Sequence, residues 1–450
     1  MLSFWQQIFF NKIFVVMFFN YKSSYDKSTV FYLIYNLLLY LVYPLLLIFS
    51  IFSSRLGYGF KIRRKPIIFQ KKKNMKVYWF HSASVGEYEC LRPIAEKIRK
   101  KQKSAFLVFS VFSDSAYKQR QKDTLPDILI PLPFDFTRRM KKVLMLFDPE
   151  IIFYARYDVW PNMAKIAKSM GIYQCLISAA LPEKSARSKG LARKFYASVY
   201  ANLDKVFAIH PAHTNRFLNM NVKAETAGDT RYDAASMRLK ELPENWKKTS
   251  DKIKKLFSKK NKTIIGGSTY ENSEKFILES LKTSKNFNLI MAPHHVNKEH
   301  IESLKKKMKN MKLSFVLFSE LPKLKKIEKV DALLIDTMGV LPYLYAFGDI
   351  AYVGGGWKGS VHSVLEPALF SLPVITGPHI KNSQEAIDFA ENKFLFIMKN
   401  DTAEALTEVI GEIFKKKDDS AKHKKKIQLY FEKNLNASDK ILKNLDKRLL

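Results

Sequence analysis

The sequence predicts an α/β protein with two Rossmann-like domains facing a cleft, behind an N-terminal transmembrane helix. Three observations carry that reading. Residues 28–54 contain no charged side chain, short apolar runs then alternate with helix-length segments in two successive sets, and a Lys-rich stretch over 241–262 separates the sets. With 450 residues and 47% hydrophobic content, the chain exceeds what one core usually organises and has apolar material for two.

Residues 1–27 form an N-terminal extension. Its apolar stretch from Trp5 to Phe19 is interrupted by Lys12, is too short to span a bilayer and precedes no small-residue cleavage site. An interfacial helix and an overextended start fit it equally. Ser28 to Ser54, rich in Leu, Tyr, Phe and Ile, is long enough to cross about 30 Å of hydrocarbon, with a buried core helix as the alternative. Arg55, Lys61, Arg63, Arg64, Lys65 and Lys71 to Lys73 follow it, whereas only Lys12, Lys22 and Lys27 stand before it, against Asp26. By the positive-inside bias the domains face the cytoplasm after a single pass, and the same cations suit anionic lipid.

The first domain, 55–240, has strands expected at 77–81, 105–110, 128–131, 151–154, 173–177 and 206–209. Residues 241–262 lack strand character and read as an exposed linker helix. Strands resume at 263–266, 287–292, 315–318, 332–335, 350–353, 373–376 and 394–398, giving a second domain over 263–450 with a basic helical tail. Runs this short and this apolar, separated by helices, suit parallel strands buried on both faces. Open parallel sheets bind ligands beyond the carboxyl ends of their strands.

The 76 Lys and Arg against 42 Asp and Glu leave a net charge of +34, which calls for a polyanionic neighbour or surface. Nucleic acid, anionic lipid headgroups and a phosphorylated glycolipid are the candidates. No zinc finger, RNP-like aromatic motif or helix-turn-helix pattern supports the first, so no nucleic-acid partner is expected. Cys90 and Cys175 lie in apolar runs and read as buried free thiols of a reducing compartment. The nine histidines show no HExxH spacing, and neither a metal nor a cofactor is expected.

The segment DIAYVGGGWKGSVHSVLEPALFSLPVITGP, 349–378, carries the most chemistry. A strand runs into Gly354, Gly355 and Gly356, where the backbone can approach a charged group. A helix opening around His362 would then turn its N–H groups toward a phosphate. Glu366, about one turn into that helix, suits the two hydroxyls of a ribose. An ordinary tight turn with a capping carboxylate fits the same letters.

HSASVGE (81–87), RYDVWPN (156–162), GDTRYD (228–233), GGST (266–269), APHH (292–295) and DTMGVLPYLY (336–345), together with that segment, stand in order along residues 29–400. The series resembles the signatures of the 3-deoxy-D-manno-octulosonic acid (Kdo) transferases, inverting GT-B glycosyltransferases that move Kdo from CMP-Kdo onto the lipid A precursor at the inner membrane. The resemblance implies Glu87 as the base that deprotonates the acceptor hydroxyl, and Arg231 as a transition-state stabiliser. It assigns the N-terminal domain to the acceptor. It assigns CMP-Kdo to the C-terminal domain through Pro293, His294, Met338, Gly339, Val340, Ser363, Val364, Leu365 and Glu366, with Ser268 and Thr269 as further contacts. The chain departs from the family at several places. Arg156 stands where a Glu is usual, leaving Asp158 as the second acid of that motif. His294 replaces an Arg, Ser363 replaces an Asn, and Ser178 and Ala180 alter a further motif. From the residues alone, Glu87 also suits a helix N-terminus, and Arg231 also suits pairing with Asp229 or Asp233. Rival readings are a GT-B enzyme for another nucleotide sugar and a membrane-tethered nucleic-acid binder.

Overall fold

The computed structural model describes residues 27–72, 75–240, 242–258, 260–284, 287–415 and 419–445. The expectation for 1–24 lies outside them. The chain forms two compact units, one made of the residues through Ala234 together with the segment from Asn434, the other of Ala235–Lys433.

Helix α1, Lys27–Phe52, covers nearly the whole uncharged run and is apolar enough to cross a membrane over Thr29–Phe52 (mean hydropathy 2.1). It does not stand free of the first unit. Phe31, Tyr35 and Leu38 belong to that unit's core, Tyr35 Oη donates to Asp135 (2.9 Å), and Asn162 Nδ2 donates to Asn36 Oδ1 (2.8 Å). The opposite face, with Leu37, Leu41, Leu45, Ile48 and Phe52, is exposed. Ser53 then caps helix α2, Ser54–Arg64, by accepting the Leu56 N–H, and Arg63 closes the hairpin by donating to the carbonyls of Leu132 and Phe112 and to Asp114.

The first sheet is wholly parallel, in the order β3-β2-β1-β4-β5-β6-β7, with β1 Val77–Ser82, β2 Phe106–Val111, β3 Ile128–Pro131, β4 Ile151–Ala155, β5 Tyr173–Ala179, β6 Lys205–Ala208 and β7 Ala224–Thr226. All six residues of β1 and all five of β4 are buried, as central strands covered by helices on both faces must be. Strand β7, AET and partly exposed, is the one strand of this sheet not expected from the sequence. Helix α3, Val85–Lys101, follows β1. Ser84 caps it, Glu87 lies in its first turn, and Arg99, Lys100 and Lys101 complement the carbonyl end. Helix α4, Pro161–Ser169, follows β4, and helix α5, Thr230–Arg238, follows β7.

The second sheet is also parallel, ordered β10-β11-β9-β8-β12-β13-β14. Its strands are β8 Lys262–Thr269, β9 Phe287–Pro293, β10 Phe315–Leu317, β11 Ala332–Leu334, β12 Ile350–Val353, β13 Val374–Thr376 and β14 Leu395–Ile397. All seven match expected runs.

Two boundaries differ from the sequence reading. Helix α6, Trp246–Leu256, is no exposed linker, because Ile253 and Leu256 together with Phe257 enter the core of the second unit. The tail from Asn434 belongs to the first unit rather than to a 263–450 domain. Asp233 accepts the backbone N–H groups of Asn436 and Ser438 (both 2.7 Å), and Ile441 of its last helix packs among Leu91 and Ile94 of α3. Docking a helix start on a buried carboxylate satisfies otherwise orphaned donors.

Candidate functional site

In each sheet there is a point where the loops after two neighbouring strands diverge to opposite sides and leave a crevice. In the first unit that point lies between β1 and β4, so the loops involved are 83–84 and 156–160. In the second it lies between β8 and β12, which brings together the end of GGST and the glycine loop. The motif residues therefore gather at the ligand-binding ends of the sheets.

At the first crevice Glu87 is only 6% exposed. Its N–H points at Ser84 Oγ, and the Ser84 hydroxyl bonds Oε2. Burial, and then repulsion from Asp158, raise its pKa above the usual carboxylate value. The Ser84 hydrogen bond and Arg156 oppose them. Asp158 is 2% exposed, and His81 Nε2 approaches its Oδ2 at 3.1 Å without hydrogen-bond alignment. Behind it, Trp79 Nε1 donates to Ser110 Oγ (2.8 Å), and that hydroxyl bonds His81 Nδ1 (2.8 Å). The sequence pointed to Asp158 but to none of Trp79, Ser110 and His81 as its support, because the relay crosses paired strands.

Arg156 takes a left-handed backbone (φ 60°), held by its N–H to Ile177 O and its carbonyl to Ala180 N–H. Such a conformation costs a non-glycine residue about 1 kcal/mol or more. Its guanidinium lies 4.0 Å from Asp229, which also binds Arg231 in a forked contact, Nε at 2.9 Å and Nη2 at 2.6 Å. The structure thus realises the Arg231–Asp229 pairing, while Asp233 is given to the tail. Ser178, also left-handed (φ 47°), accepts the Thr230 N–H, and Thr230 Oγ1 donates to the Cys90 carbonyl, so β5 and α3 fix the start of the helix carrying Arg231. Cys90 and Cys175 are buried free thiols, as expected.

At the second crevice the glycines are required by close packing. A Cβ on Gly354 would lie 2.0 Å from the Ser268 carbonyl oxygen. One on Gly355 (φ +93°) would lie 2.4 Å from Ser360 O, and one on Gly356 would lie 2.6 Å from Thr376 Oγ1. Gly355 also lines a cavity together with Tyr270, His295, Trp357 and Ser360. The helix expected around His362 is also shorter. It runs Leu365–Leu369, with Glu366 its second residue, too short for a substantial dipole. Ser363 is exposed, whereas Val364 and Leu365 are buried in the core and present no side chain to a ligand. Glu366 Oε1 accepts from Arg238 Nη1 at 2.8 Å.

Pro293 ends β9, and His294 follows it with its N–H on Thr269 O. The rings of Tyr270, His294 and His362 pack together in a triangle, with centroids 4.8 Å (Tyr270–His294), 4.7 Å (His294–His362) and 5.7 Å (Tyr270–His362) apart, and Tyr270 Oη lies 3.0 Å from His362 Nε2. Burial lowers the pKa of His294, and pushes that of His362 down to about 4, so at neutral pH the cluster is uncharged. His294 therefore does not supply the charge of the arginine it replaces. Thr269 Oγ1 donates to the buried Glu274, which His300 also contacts (2.9 Å). Ser268 turns the chain at φ 51°. Met338 is exposed, Gly339 is left-handed (φ +86°), and Val340 precedes a short helix, Leu341–Leu344. Tyr270, Glu274 and Arg238 were not singled out from the sequence, and His362 only as the start of a helix. Their signal was a neighbouring motif, not a spacing. Among the described residues no three His, Cys, Asp or Glu side chains converge as a metal cluster.

A family model described as "3-Deoxy-D-manno-octulosonic-acid transferase (kdotransferase)" matches residues 52–234. The chain is 26% identical over 357 residues to the 3-deoxy-D-manno-octulosonic acid transferase of Chlamydia muridarum (76% of this chain, 80% of the relative), and 26% identical over 362 residues to that of Aquifex aeolicus (78% and 91%). Its fold is similar to the UDP-GlcNAc 2-epimerase of Neisseria meningitidis (TM-score 0.59, 16% identity, 82% of this chain and 100% of that one). It is also similar to a glycosyltransferase of Rickettsia africae (TM-score 0.51, 15% identity, 83% and 100%). The paired parallel-sheet domains are of GT-B type.

Proposed function

We propose that this chain, a member of the 3-deoxy-D-manno-octulosonic acid transferase family, transfers Kdo from CMP-Kdo to the lipid A precursor with inversion at the anomeric carbon. The observation that carries the mechanism is Glu87, a buried carboxylate at the switch point of the N-terminal sheet, with its pKa raised and Asp158 and Arg156 beside it. Glu87 takes the proton of an acceptor hydroxyl as that oxygen bonds the anomeric carbon of Kdo, and the bond to the CMP phosphate breaks with its electron pair on the phosphate. Arg231 and Arg156 neutralise anionic charge, their side chains oriented by Asp229. Burial, and then the neighbouring Asp158, raise the pKa of Glu87, which suits it to accept a proton.

Glu366 accepts the ribose hydroxyls once Arg238 yields or shares it. The backbone around Pro293, His294, Ser363, Val364 and Leu365, together with the Met338–Val340 turn, shapes the donor site, with Ser268 and Thr269 at its floor. Incubation of the full chain with CMP-Kdo and the acylated, phosphorylated glucosamine disaccharide tests the reading. Mass spectrometry should find product heavier by one or more Kdo units with release of CMP, and absence of both refutes it.

The same reading places the protein at the inner membrane, with its domains on the cytoplasmic face and its cations against anionic lipid. Helix α1 packs one face on the domain, with Tyr43 against Phe134, Phe136 and Arg139, and leaves Leu33, Leu37, Leu41, Leu45, Ile48 and Phe52 exposed along its length as the face that meets hydrocarbon.

A further inference from the structure

A cavity of about 340 Å³ lies between the α1–α2 hairpin and the first domain. Its walls are mainly apolar: Val42 and Leu46, one helical turn apart on α1, Phe60 of α2, and Phe134 and Trp160 of the domain. It joins two places with distinct roles. One flank is α1, whose other face exposes Leu41, Leu45 and Ile48, side chains suited to hydrocarbon and not to water. The other flank reaches the catalytic loop. Ser113, which lines the cavity, bonds its N–H to Ala83 O (2.8 Å), one residue before the Ser84 that holds Glu87, and Trp160 follows Asp158 by two residues. Arg55 lines the cavity as an exposed cation.

We infer that this cavity takes one fatty-acyl chain of the phosphorylated lipid acceptor and so sets its sugar hydroxyl beside Glu87. The inference rests on the proposed transfer to a lipid acceptor and adds the feature that selects for acylation. A site of this volume and lining matches an alkyl chain, which needs no hydrogen-bond partner. The apolar face of α1 offers continuity with the bilayer, so a chain can enter without crossing water. Arg55 supplies the charge complement for a phosphate that stays at the surface. Acceptors lacking the chain would lose the buried methylenes, each of which contributes a factor of about four in affinity.

The test uses the full-length protein in detergent micelles with an acylated, bisphosphorylated glucosamine disaccharide bearing a diazirine on one chain. Cross-links are mapped by peptide mass spectrometry. Labelling is expected at 42–46, at 134–136 and at Trp160. Leu46→Trp, which fills the space, should cut that labelling about tenfold or more while melting like the parent, and Leu46→Ala should retain it. Val42→Trp serves the same purpose if Leu46→Trp does not fold. A diazirine phosphatidylglycerol should label the exposed face at Leu41 and Leu45 and be displaced from the cavity by unlabelled disaccharide lipid. Labelling confined to the exposed face, labelling unchanged in both tryptophan variants, or phosphatidylglycerol that the disaccharide lipid cannot displace would each overturn the inference. So would cross-links from a photoreactive side chain at position 46 onto residues 1–26, which would make the chain's own N-terminal segment the occupant. Since the readout is binding, failure of Kdo transfer alone would count against the proposed reaction and leave the cavity's ligand decided by these cross-links.

Discussion

In the proposed mechanism, replacing Glu87 by Gln removes the base and little else. The side chain keeps its size, and an amide can still meet the Ser84 hydroxyl, so packing at the start of α3 is retained. General-base assistance is worth about 10²–10⁴-fold, or roughly 3–5 kcal/mol of barrier. The upper part of that range is expected, because the nearest alternative carboxylate, Asp158, is 2% exposed and faces His81. The assay is kcat/KM for CMP release with lipid acceptor from pH 5 to 9, alongside calorimetric binding of CMP, which should be unchanged because the proposed nucleotide residues belong to the other unit. Burial raises the pKa of Glu87, so the acid limb of the parent's profile should lie above that of an ordinary carboxylate. Asp158→Asn removes the second cause of the shift and should move the limb to lower pH. The linkage has a definite sign. Between its unfolded and folded pKa values Glu87 holds more proton when folded, so its stabilisation is complete below the unfolded value and is lost as pH rises through the folded one. Glu87→Gln should therefore melt higher than the parent at pH 7, with the advantage vanishing in acid. A variant within threefold of parental rate, or a limb unmoved by Asp158→Asn, would refute the assignment.

Glu366→Ala should weaken CMP by about 1–3 kcal/mol in calorimetry without changing acceptor affinity, and equal nucleotide affinity would remove Glu366 from the site. Gly354→Ala sets a Cβ 2.0 Å from the Ser268 carbonyl and should cost about 3 kcal/mol or more, read as a lowered unfolding midpoint of the second unit. Affinity for cytidine, which has no titrating phosphate, should stay nearly flat from pH 6 to 8, since His362, pushed down to about 4, and His294, also lowered, remain neutral there. A steep rise in affinity toward pH 6 would show that one of them charges on binding.

What the sequence disclosed follows from what leaves a periodic trace. Thirteen of the fourteen strands were expected because central parallel strands are apolar on both faces, whereas β7, AET at a sheet edge, has no apolar run to notice. The burial of α6 was written in Ile253, Leu256 and Phe257 at helical spacing, but the lysines around them suggested a solvated segment. Nothing local marks the tail's return to the first unit, which depends on Asp233 more than two hundred residues away. The candidate sites divide in the same way. Glu87 and Glu366 were visible as carboxylates early in helices after strand-ending loops. The Trp79–Ser110–His81 relay depends on strand register, and the left-handed backbone of Arg156 has no sequence signal in a non-glycine residue. The glycine loop was legible as a place without room for side chains, but spacing alone could not show that the Ser268 carbonyl is what a Cβ on Gly354 would strike.

The two switch points have the same topology and opposite chemistry. The first buries Glu87 and Asp158 close enough that one raises the other's pKa, an arrangement that costs stability and is offset only in part by Ser84, His81 and Arg156. A general base needs that strain, since a fully solvated carboxylate has too low a pKa to accept a hydroxyl proton effectively near neutrality. The second crevice carries no such carboxylate pair. It presents a neutral cluster of Tyr270, His294 and His362, close-packed glycines, the buried Glu274 bonded by Thr269 and His300, and Glu366, bound to Arg238. A neutral cluster can lie against a flat heterocycle without paying to desolvate a charge, and a single charged acceptor suffices to orient a diol. A base placed among the glycines would lack the Asp158 neighbour that raises its pKa, whereas at the first crevice Arg156 and Arg231 can balance the charge that gathers around Glu87. The proposed division of labour between the sheets follows that difference, with proton transfer at the buried carboxylate pair and nucleotide recognition at the neutral ring cluster.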